Sequence, residues 1–324
     1  MLLLTLQSQR RFKLKTAAVP LPNQLATCYH DIVIAYLAPE GFVDELVMEL
    51  GDVAAVHGRL VLAEGPRRPA AWAANVWLEP VRLPVSSIAD AARQLRAMQR
   101  DWALYSFHLH RRAQLIAVQL PTVVVKPSAF PAPLPARTIG SWTLLNERTV
   151  LASARCSCPW PNGEIEFVED HDAPPSRAYL KLWELFSRLQ VWPQANERCV
   201  DLGACPGGWT WVLQSLGARV LAVDKAPLAP GVVKLPGVEF RKESAFALKP
   251  EASDWFFSDV ICYPSRLLEL VRRWLPVCRN MVCTVKFQGK TDHAVVREFA
   301  AIPGSELVHL HHNRHELTWF RLAR

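Results

Sequence analysis

The stretch CVDLGACPGGWT, residues 199–210, guides the interpretation of the whole chain. Its first half is apolar and typical of a buried strand, and its second half is a glycine-rich turn that leads into helix-forming residues. Gly203, Gly207 and Gly208 would let the backbone approach a ligand closely where side chains would clash. The pattern therefore predicts a strand, a ligand-binding turn and a helix in succession.

Strand-like and helix-like segments alternate from this point to the end of the chain. The strand-like runs are RVLAVDK (219–225), VEFRKE (238–243), DWFFSDV (254–260) and NMVCTVKF (280–287), and a closing hairpin spans 306–323. Helical patterns lie between them, at 265–276 and 292–301. Such alternation predicts an α/β, Rossmann-like domain with a mostly parallel seven-stranded sheet that ends in an antiparallel hairpin. Ligands of such sheets bind at the carboxyl ends of the strands.

A proline-rich segment divides the chain. Residues 126–137 hold four prolines, which disfavours a regular helix or a central strand. We therefore predict a smaller α+β domain at 1–125, a linker at 126–138, a hairpin connector at 139–173 and the α/β domain at 174–324. The pair Pro174-Pro175 precedes a helix predicted from about Ser176 to Leu189, with Lys181 at the edge of its apolar stripe.

The composition, 50% hydrophobic and 21% charged residues, is that of an ordinary soluble protein. There is no apolar run of about 18 residues, so we predict a cytoplasmic monomer without a membrane segment. The basic, acid-free segment that contains Arg10 and Lys15 leaves a transit peptide as an alternative. From Pro174 onward 20 Lys and Arg face 14 Asp and Glu, against 17 and 16 before it. This excess favours a nucleic-acid partner, although a solubilising surface would give the same count.

The eight cysteines form no CxxC pair, so we expect reduced, packing residues and no disulfide framework. Cys156 and Cys158 with the histidines at 309, 311, 312 and 315 fit no closed four-ligand zinc pattern, and we predict no metal. The glycines of 203–208 do not spell GxGxxG, and no P-loop lysine follows them. Dinucleotides and ATP are therefore poor candidates for the ligand.

DLGACPGGWT resembles the cofactor loop of the FtsJ-like RNA ribose methyltransferases, and PSRAYLKLWE (175–184) is similar to the helix before that loop. The likeness is greatest to the bacterial M-type family, which methylates a cytidine ribose in large-subunit ribosomal RNA. It implies a Rossmann-like methyltransferase domain that binds S-adenosyl-L-methionine. The residues that it implies at the cofactor are Ser176, Gly203, Cys205, Pro206, Gly207, Gly208, Trp209, Asp224, Ser244 and Asp259.

Two positions depart from the family. Ala178 stands where the family has a serine, and Ser244 stands where it has an aspartate facing the adenine region. Cys205 also has a second interpretation, as a thiolate nucleophile of the kind that attacks a pyrimidine base. The strand end that should carry such a thiol reads SDVICYP and lacks a Pro-Cys dipeptide. We therefore expect Cys205 to be a small loop residue.

The family uses a Lys-Asp-Lys-Glu tetrad, and this chain offers Lys181, Asp259, Lys286 and Glu316 in the same order and local contexts. Lys286 is our candidate general base because it follows the apolar run MVCTV, where desolvation favours an uncharged amine. Asp259 would orient that amine, and Glu316 would hold Lys181 or the ribose. Taken singly, each could instead be a solvated surface or turn residue.

Cations and flat rings are the expected contacts to RNA. The candidates for phosphates are Arg177, Arg266, Arg272, Arg273, Lys290 and Arg314, and those for stacking are Trp209, Tyr263 and Trp319. The N-terminal domain is faintly like the ferredoxin-like start of the M-type enzymes, which also carry a THUMP-type module, and RNA recruitment is its expected task. The alternatives are a methyltransferase for another RNA, such as tRNA or an RNA base, or for a small molecule or protein, and a catalytically silent RNA-binding protein.

Overall fold

A computed structural model describes residues 33–135 and 137–323. The basic segment near Arg10 and the cysteine at position 28 lie outside the described residues, so the transit-peptide alternative is not addressed. Within the described ranges, no helix has both the length and the apolar character needed to cross a membrane.

The N-terminal part begins with a four-stranded antiparallel sheet in the order β2-β3-β1-β4. One helix, α1, connects β1 to β2 and buries Leu46 and Leu50. The elements are β1 (Val33–Leu37), α1 (Val43–Leu50), β2 (Ala55–His57), β3 (Leu60–Glu64) and β4 (Asn75–Trp77).

A second four-stranded sheet, in the order β5-β8-β7-β6, joins residues from both sides of the proline-rich segment. Its elements are β5 (Val81–Pro84), α2 (Ile88–Met98), β6 (Trp102–Leu104), α3 (His110–Ala117), β7 (Gly140–Asn146) and β8 (Thr149–Ser153). The β7–β8 hairpin is therefore flanked by strands that precede the prolines. The predicted division into domains remains a prediction, but strand pairing groups this hairpin with the N-terminal part.

The C-terminal part contains a seven-stranded sheet in the order β11-β10-β9-β12-β13-β15-β14. Pairing is parallel from β11 to β13, and β15 pairs antiparallel with both β13 and β14. Its strands are β9 (Arg198–Leu202), β10 (Arg219–Asp224), β11 (Val238–Lys242), β12 (Ser253–Ser258), β13 (Cys278–Lys286), β14 (Ser305–Val308) and β15 (Glu316–Arg321). Its helices are α4 (Tyr179–Leu189), α5 (Gly208–Ser215), α6 (Pro230–Val233), α7 (Pro264–Trp274) and α8 (His293–Ala300).

Helices cover both faces of this sheet. Successive residues of β12 point to opposite faces, so Phe256 packs with α7 and Phe257 with α4 and α5. Helix α4 starts later than the sequence pattern predicts, because the residues before Tyr179 form a turn in which the Leu180 amide bonds to the Arg177 carbonyl at 3.2 Å.

The first sheet packs against the carboxyl edge of the seven-stranded sheet. The His309 amide donates to the Ala71 carbonyl at 2.7 Å, and the Trp72 ring lies 5.3 Å from that of His309 and 5.9 Å from that of Phe287. Burial lowers the pKa of His309 to about 4, so this ring is neutral in the interface. The N-terminal part is thus seated directly beside the loops that follow β13 and β14.

Candidate active site

Four charged side chains come together at the carboxyl edge of the seven-stranded sheet. Asp259 directly follows β12, Lys286 ends β13, and Glu316 begins β15 opposite Lys286 in the strand register. Lys181 reaches the group from the first turns of α4. Parallel strands end at one edge, so the topology itself gathers these residues.

Asp259 is the centre of the group. Its Oδ1 atom lies 3.2 Å from the Lys181 Nζ and 3.1 Å from the Lys286 Nζ. The Lys286 amine also donates to the Asp259 main-chain carbonyl. Glu316 Oε1 lies 2.7 Å from the Lys181 Nζ. Two amines therefore share one carboxylate, and a second carboxylate holds only Lys181.

The two lysines sit in different environments. The Lys181 side chain is 12% exposed and that of Lys286 is 20% exposed. Burial opposes the charge of Lys181, but the Asp259 and Glu316 carboxylates outweigh it and raise the pKa of Lys181 above its ordinary value. Lys181 is thus the fixed cation of the group, and Lys286 is its more accessible amine.

The glycine-rich turn between β9 and α5 lies at the same edge. Gly203 has a φ of +81°, and a Cβ atom on it would come within 2.6 Å of the Val260 Cα. Gly207 has a φ of +114°, and its Cβ would meet Val232 at 2.9 Å. These glycines are therefore required first by the packing of the chain on itself, and this packing shapes the cradle that a ligand would enter.

Asp224, the last residue of β10, closes the other side of the turn. Its carboxylate accepts the Cys205 amide at 3.0 Å and the Ala226 amide at 2.9 Å. Burial and the neighbouring Asp224 raise the pKa of the Cys205 thiol, which disfavours a thiolate nucleophile. Asp224 thus holds the turn and still has lone pairs for a ribose.

A cofactor with an amino acid part fits this edge. Ser176 Oγ is buried without a hydrogen-bond partner, and a Cβ atom on Gly208 would come within 2.6 Å of it. Pro206 follows Cys205 in the same turn. Ser244, two residues after β11, uses its hydroxyl to accept the Phe246 amide at 3.3 Å, so it forms a turn beside Asp224.

Asp201 lies beneath the turn and is fully buried. Its Oδ2 accepts the Thr210 hydroxyl at 2.7 Å, whereas its Oδ1 has no partner. Burial raises the pKa of this carboxyl to about 7, with the Asp259 and Asp224 charges adding to the rise and the Thr210 hydrogen bond opposing it. The cofactor side of the site therefore contains a carboxyl group that its surroundings do not compensate.

Comparison with known proteins identifies this part of the chain. A family model described as FtsJ-like methyltransferase matches residues 174–300. This part of the chain is therefore similar to the FtsJ-like methyltransferases. The resemblance inferred from DLGACPGGWT and PSRAYLKLWE is thereby confirmed.

Several curated relatives share the name "Ribosomal RNA large subunit methyltransferase M". That of Halorhodospira halophila is 42% identical over 120 residues, covering 36% of this chain and 35% of the relative. Those of Thauera aminoaromatica and Azotobacter vinelandii are 34% and 35% identical and cover 51% and 45% of this chain. The chain aligns with at most about half the length of these relatives, 50% and 44% in the last two.

The fold rules out two of the three predicted stacking candidates. Trp319 is fully buried in β15 and donates to the Phe299 carbonyl, and Trp209 is buried with its Nε1 bonded to the Ala178 carbonyl at 3.0 Å. Neither ring can stack on a base, and Trp209 instead fixes the start of α5 to α4. Tyr263, 66% exposed before α7, is the stacking candidate that remains.

The candidate phosphate contacts also differ in whether the fold leaves them available to RNA. Arg272 and Arg273 lie in the last turn of α7, at the end away from the tetrad, where Arg272 pairs with Glu298 and Arg273 caps two main-chain carbonyls. Arg266 lies over the Phe246 ring at 3.8 Å. Arg177, Lys290 and Arg314 are exposed, and Arg177 pairs with Glu169 at 2.6 Å.

Sequence reasoning missed Glu184, which lies one turn after Lys181 on α4. Its fully buried carboxylate accepts the His311 amide at 2.8 Å, the His312 amide at 3.0 Å and the His312 Nδ1 at 2.7 Å. Arg188 donates to it at 2.6 Å. Burial alone would raise the pKa of Glu184, but Arg188 and His312 lower it to about 2. Glu184 lies off the apolar stripe of this helix, so the sequence pattern carried no signal of its burial.

The histidines around this turn do not assemble into a metal site. Among residues 33–135 and 137–323, no three His, Cys, Asp or Glu side chains lie close enough together to hold an ion. His312 is instead committed to Glu184, and His309 Nε2 contacts the Arg314 carbonyl at 2.9 Å.

Proposed function

We propose that this protein is an S-adenosylmethionine-dependent methyltransferase that modifies a ribose 2'-hydroxyl of RNA, with Lys286 as general base. The observation that carries the proposal is the pair of amines on Asp259, at 3.2 Å and 3.1 Å, beside the glycine-rich turn. A ribose hydroxyl is a poor nucleophile, so its methylation needs a proton acceptor and firm alignment. A methyl transfer to an already nucleophilic amine or thiolate would not require this arrangement.

In this mechanism Lys286 accepts the hydroxyl proton while the oxygen forms its bond to the methyl carbon. The bound cofactor would supply the methyl group and would keep the electron pair of its carbon–sulfur bond. Lys286 must be uncharged when it accepts the proton, whereas Lys181, held by Asp259 and Glu316, is the cation of the group. Asp259 holds the Lys286 amine in place through its side chain and its carbonyl.

When bound, the cofactor supplies an electrophilic methyl group on a sulfonium. The residues that would hold it are those of the turn, Gly203 to Trp209, with the free hydroxyl of Ser176 at the amino acid part. Asp224 would accept from the ribose hydroxyls, and Ser244 would lie towards the adenine. Trp209 would contribute through the position of its main chain at the start of α5.

The substrate class is supported by the names of the relatives and by the basic excess after Pro174. We propose a cytidine of the large-subunit ribosomal RNA as the target. The N-terminal part would recruit the RNA, and the protein would act as a cytoplasmic monomer. The relatives are aligned over half their length or less, so these statements belong to the proposal for this chain.

The decisive experiment maps ribose methylation in large-subunit RNA from cells with the gene deleted, complemented with wild-type protein, or complemented with Lys286→Ala. We expect one mark that only the wild-type protein restores. Full restoration by Lys286→Ala would refute the assignment of the base. Loss of a base methylation or of a tRNA mark would instead favour the other RNA substrates.

Binding of S-adenosylmethionine to the purified protein separates the active enzyme from a silent RNA-binding protein. Titration calorimetry should give saturable binding to wild-type protein and to Lys286→Ala alike. Absence of binding to the wild-type protein would favour the silent alternative.

A further inference from the structure

A cleft of about 420 Å³ opens beside the tetrad. One wall is the start of α4 with Arg177 and Leu180, and the other is the turn between β14 and β15 with His311 and His312. The segment around Phe167 forms the third side. Small-molecule sites typically enclose roughly 300–1,000 Å³, so this cleft is large enough for a flat ring system.

Buried hydrogen bonds hold the histidine wall in place. Glu184 accepts both the His311 and the His312 amides, and it also fixes the His312 ring through Nδ1. The His312 ring lies 5.7 Å from that of Phe167. The His311 side chain is exposed, while its main-chain amide is held by its hydrogen bond to Glu184. The wall is therefore preorganised, and it presents one accessible aromatic ring.

The cleft lies on the Lys181 and Glu316 side of the tetrad. Leu180 precedes Lys181 on α4, and the amide of Arg314, which lines the cleft, approaches Glu316 Oε1 at 3.4 Å. A nucleotide whose ribose lies at Lys286 would thus have the cleft within reach of its own base or of a neighbouring one.

The lining determines which part of RNA fits. Glu166 and Glu169 lie among the cleft residues, and Glu169 already engages Arg177. Two carboxylates disfavour a phosphate inside the cleft. Apolar side chains together with polar edges suit a nucleobase, which has flat apolar faces and hydrogen-bonding edges.

We propose that this cleft receives the unstacked base of the nucleotide whose ribose is methylated, with His311 as its stacking platform. The inference rests on the proposed function, since it assumes that the ribose lies at the tetrad. His311 is then a residue that binds substrate and holds no proton of the reaction. Arg314, at the mouth of the cleft, would then contact a phosphate of the entering RNA strand.

The test compares His311→Ala and His311→Phe on two RNA fragments. The first is the shortest large-subunit fragment that the wild-type enzyme methylates, and the second carries an abasic ribose at the methylated nucleotide. On the natural fragment, His311→Ala should lower kcat/KM about tenfold, and His311→Phe should restore most of it because stacking is retained. On the abasic fragment the wild-type protein and both variants should be equal. The exposed His171, outside the cleft, provides the control variant His171→Ala.

An equal effect of His311→Ala on both fragments would overturn the proposal, because the imidazole would then act on something other than the base. Unchanged kinetics of His311→Ala on the natural fragment would overturn it as well. If the wild-type protein methylates no RNA, the proposed function fails by itself. The cleft is then judged by fluorescence anisotropy with a labelled ten-nucleotide oligocytidylate, where equal binding by wild type and His311→Ala overturns the inference and weaker binding by the variant supports it.

Discussion

The tetrad and the glycine-rich turn lie at the same sheet edge but balance their charges in opposite ways. In the tetrad, each carboxylate has a lysine partner within 3.2 Å. At the turn, Asp224 is held by main-chain amides, and the buried Asp201 has one hydroxyl partner and one oxygen with none. The carboxylates of the tetrad are paired with cations, whereas the carboxyl groups at the turn have no cationic partner among the contacts described.

This difference matches the chemistry that each side would perform. A base must be held ready before the substrate arrives, and preorganised partners avoid reorganisation during the reaction. A site for a cationic sulfonium gains from negative charge that only the ligand would neutralise. The arrangement therefore separates the residues that act on the hydroxyl from those that attract the methyl donor.

The sharpest test of the comparison is Asp259→Asn. The substitution removes the charge shared by both lysines but keeps the shape, so the ion pair that aligns the Lys286 amine is lost. We expect kcat to fall roughly 1,000-fold, within the range of positioned acid–base groups. Methyl transfer to the RNA fragment under saturating cofactor measures it. Asp52→Asn, at an exposed carboxylate of the N-terminal part, should leave kcat unchanged. An Asp259→Asn enzyme with a normal kcat would remove the tetrad from the mechanism.

Glu184→Gln tests the buried carboxylate that is paired with Arg188, one turn along α4 from Lys181. The folded pKa of about 2 lies below the ordinary 4.5, so the charge stabilises the fold above pH 4.5, and that contribution is lost as the pH falls towards 2. We expect the variant to unfold with about 3 kcal/mol less free energy at pH 7, because a buried Arg188 is left without its counter-ion. Denaturant unfolding at several pH values gives the difference. A gap that stays constant down to pH 2 would mean that the carboxylate is not the stabilising form.

Asp224→Asn tests the carboxylate that accepts hydrogen bonds from two main-chain amides of the glycine-rich turn and the residues after β10. The amide side chain keeps an acceptor for one amide hydrogen but loses the charge and one acceptor oxygen. We expect the Kd for S-adenosylmethionine to rise about tenfold, which corresponds to about 1.4 kcal/mol. Titration calorimetry measures the Kd, with Glu239→Gln, at an exposed carboxylate of β11, as the control. An unchanged Kd would show that Asp224 serves only to hold Cys205 and Ala226.

The sequence predicted the parts of the site that depend on strand order. Lys286 and Asp259 follow apolar runs, so a parallel sheet places them at one edge whatever the details of packing. The sequence-based prediction failed where burial depends on packing between elements that are distant in the chain. Trp319 lies between Thr318 and Phe320 in β15 and is covered on its face by α8, and Arg272 has the right charge at the wrong end of α7. Glu184 was missed because its partners lie 127 and 128 residues away in the chain.

Of the substitutions predicted here, Asp201→Asn should have the smallest effect. It should raise the free energy of unfolding or leave it unchanged, whereas Glu184→Gln should lower it. The folded pKa of about 7 lies above the ordinary 3.8, so the free energy of unfolding is greatest below pH 3.8, falls as the carboxyl ionises, and levels off above pH 7. The neutral variant lacks this fall and keeps an acceptor for Thr210, so its stability at pH 8 should equal or exceed that of wild type by about 1 kcal/mol. Denaturant unfolding between pH 4 and 8 measures both slopes. Parallel slopes would mean that Asp201 is ionised throughout, and the turn would then be charge-compensated in a way that its contacts do not reveal.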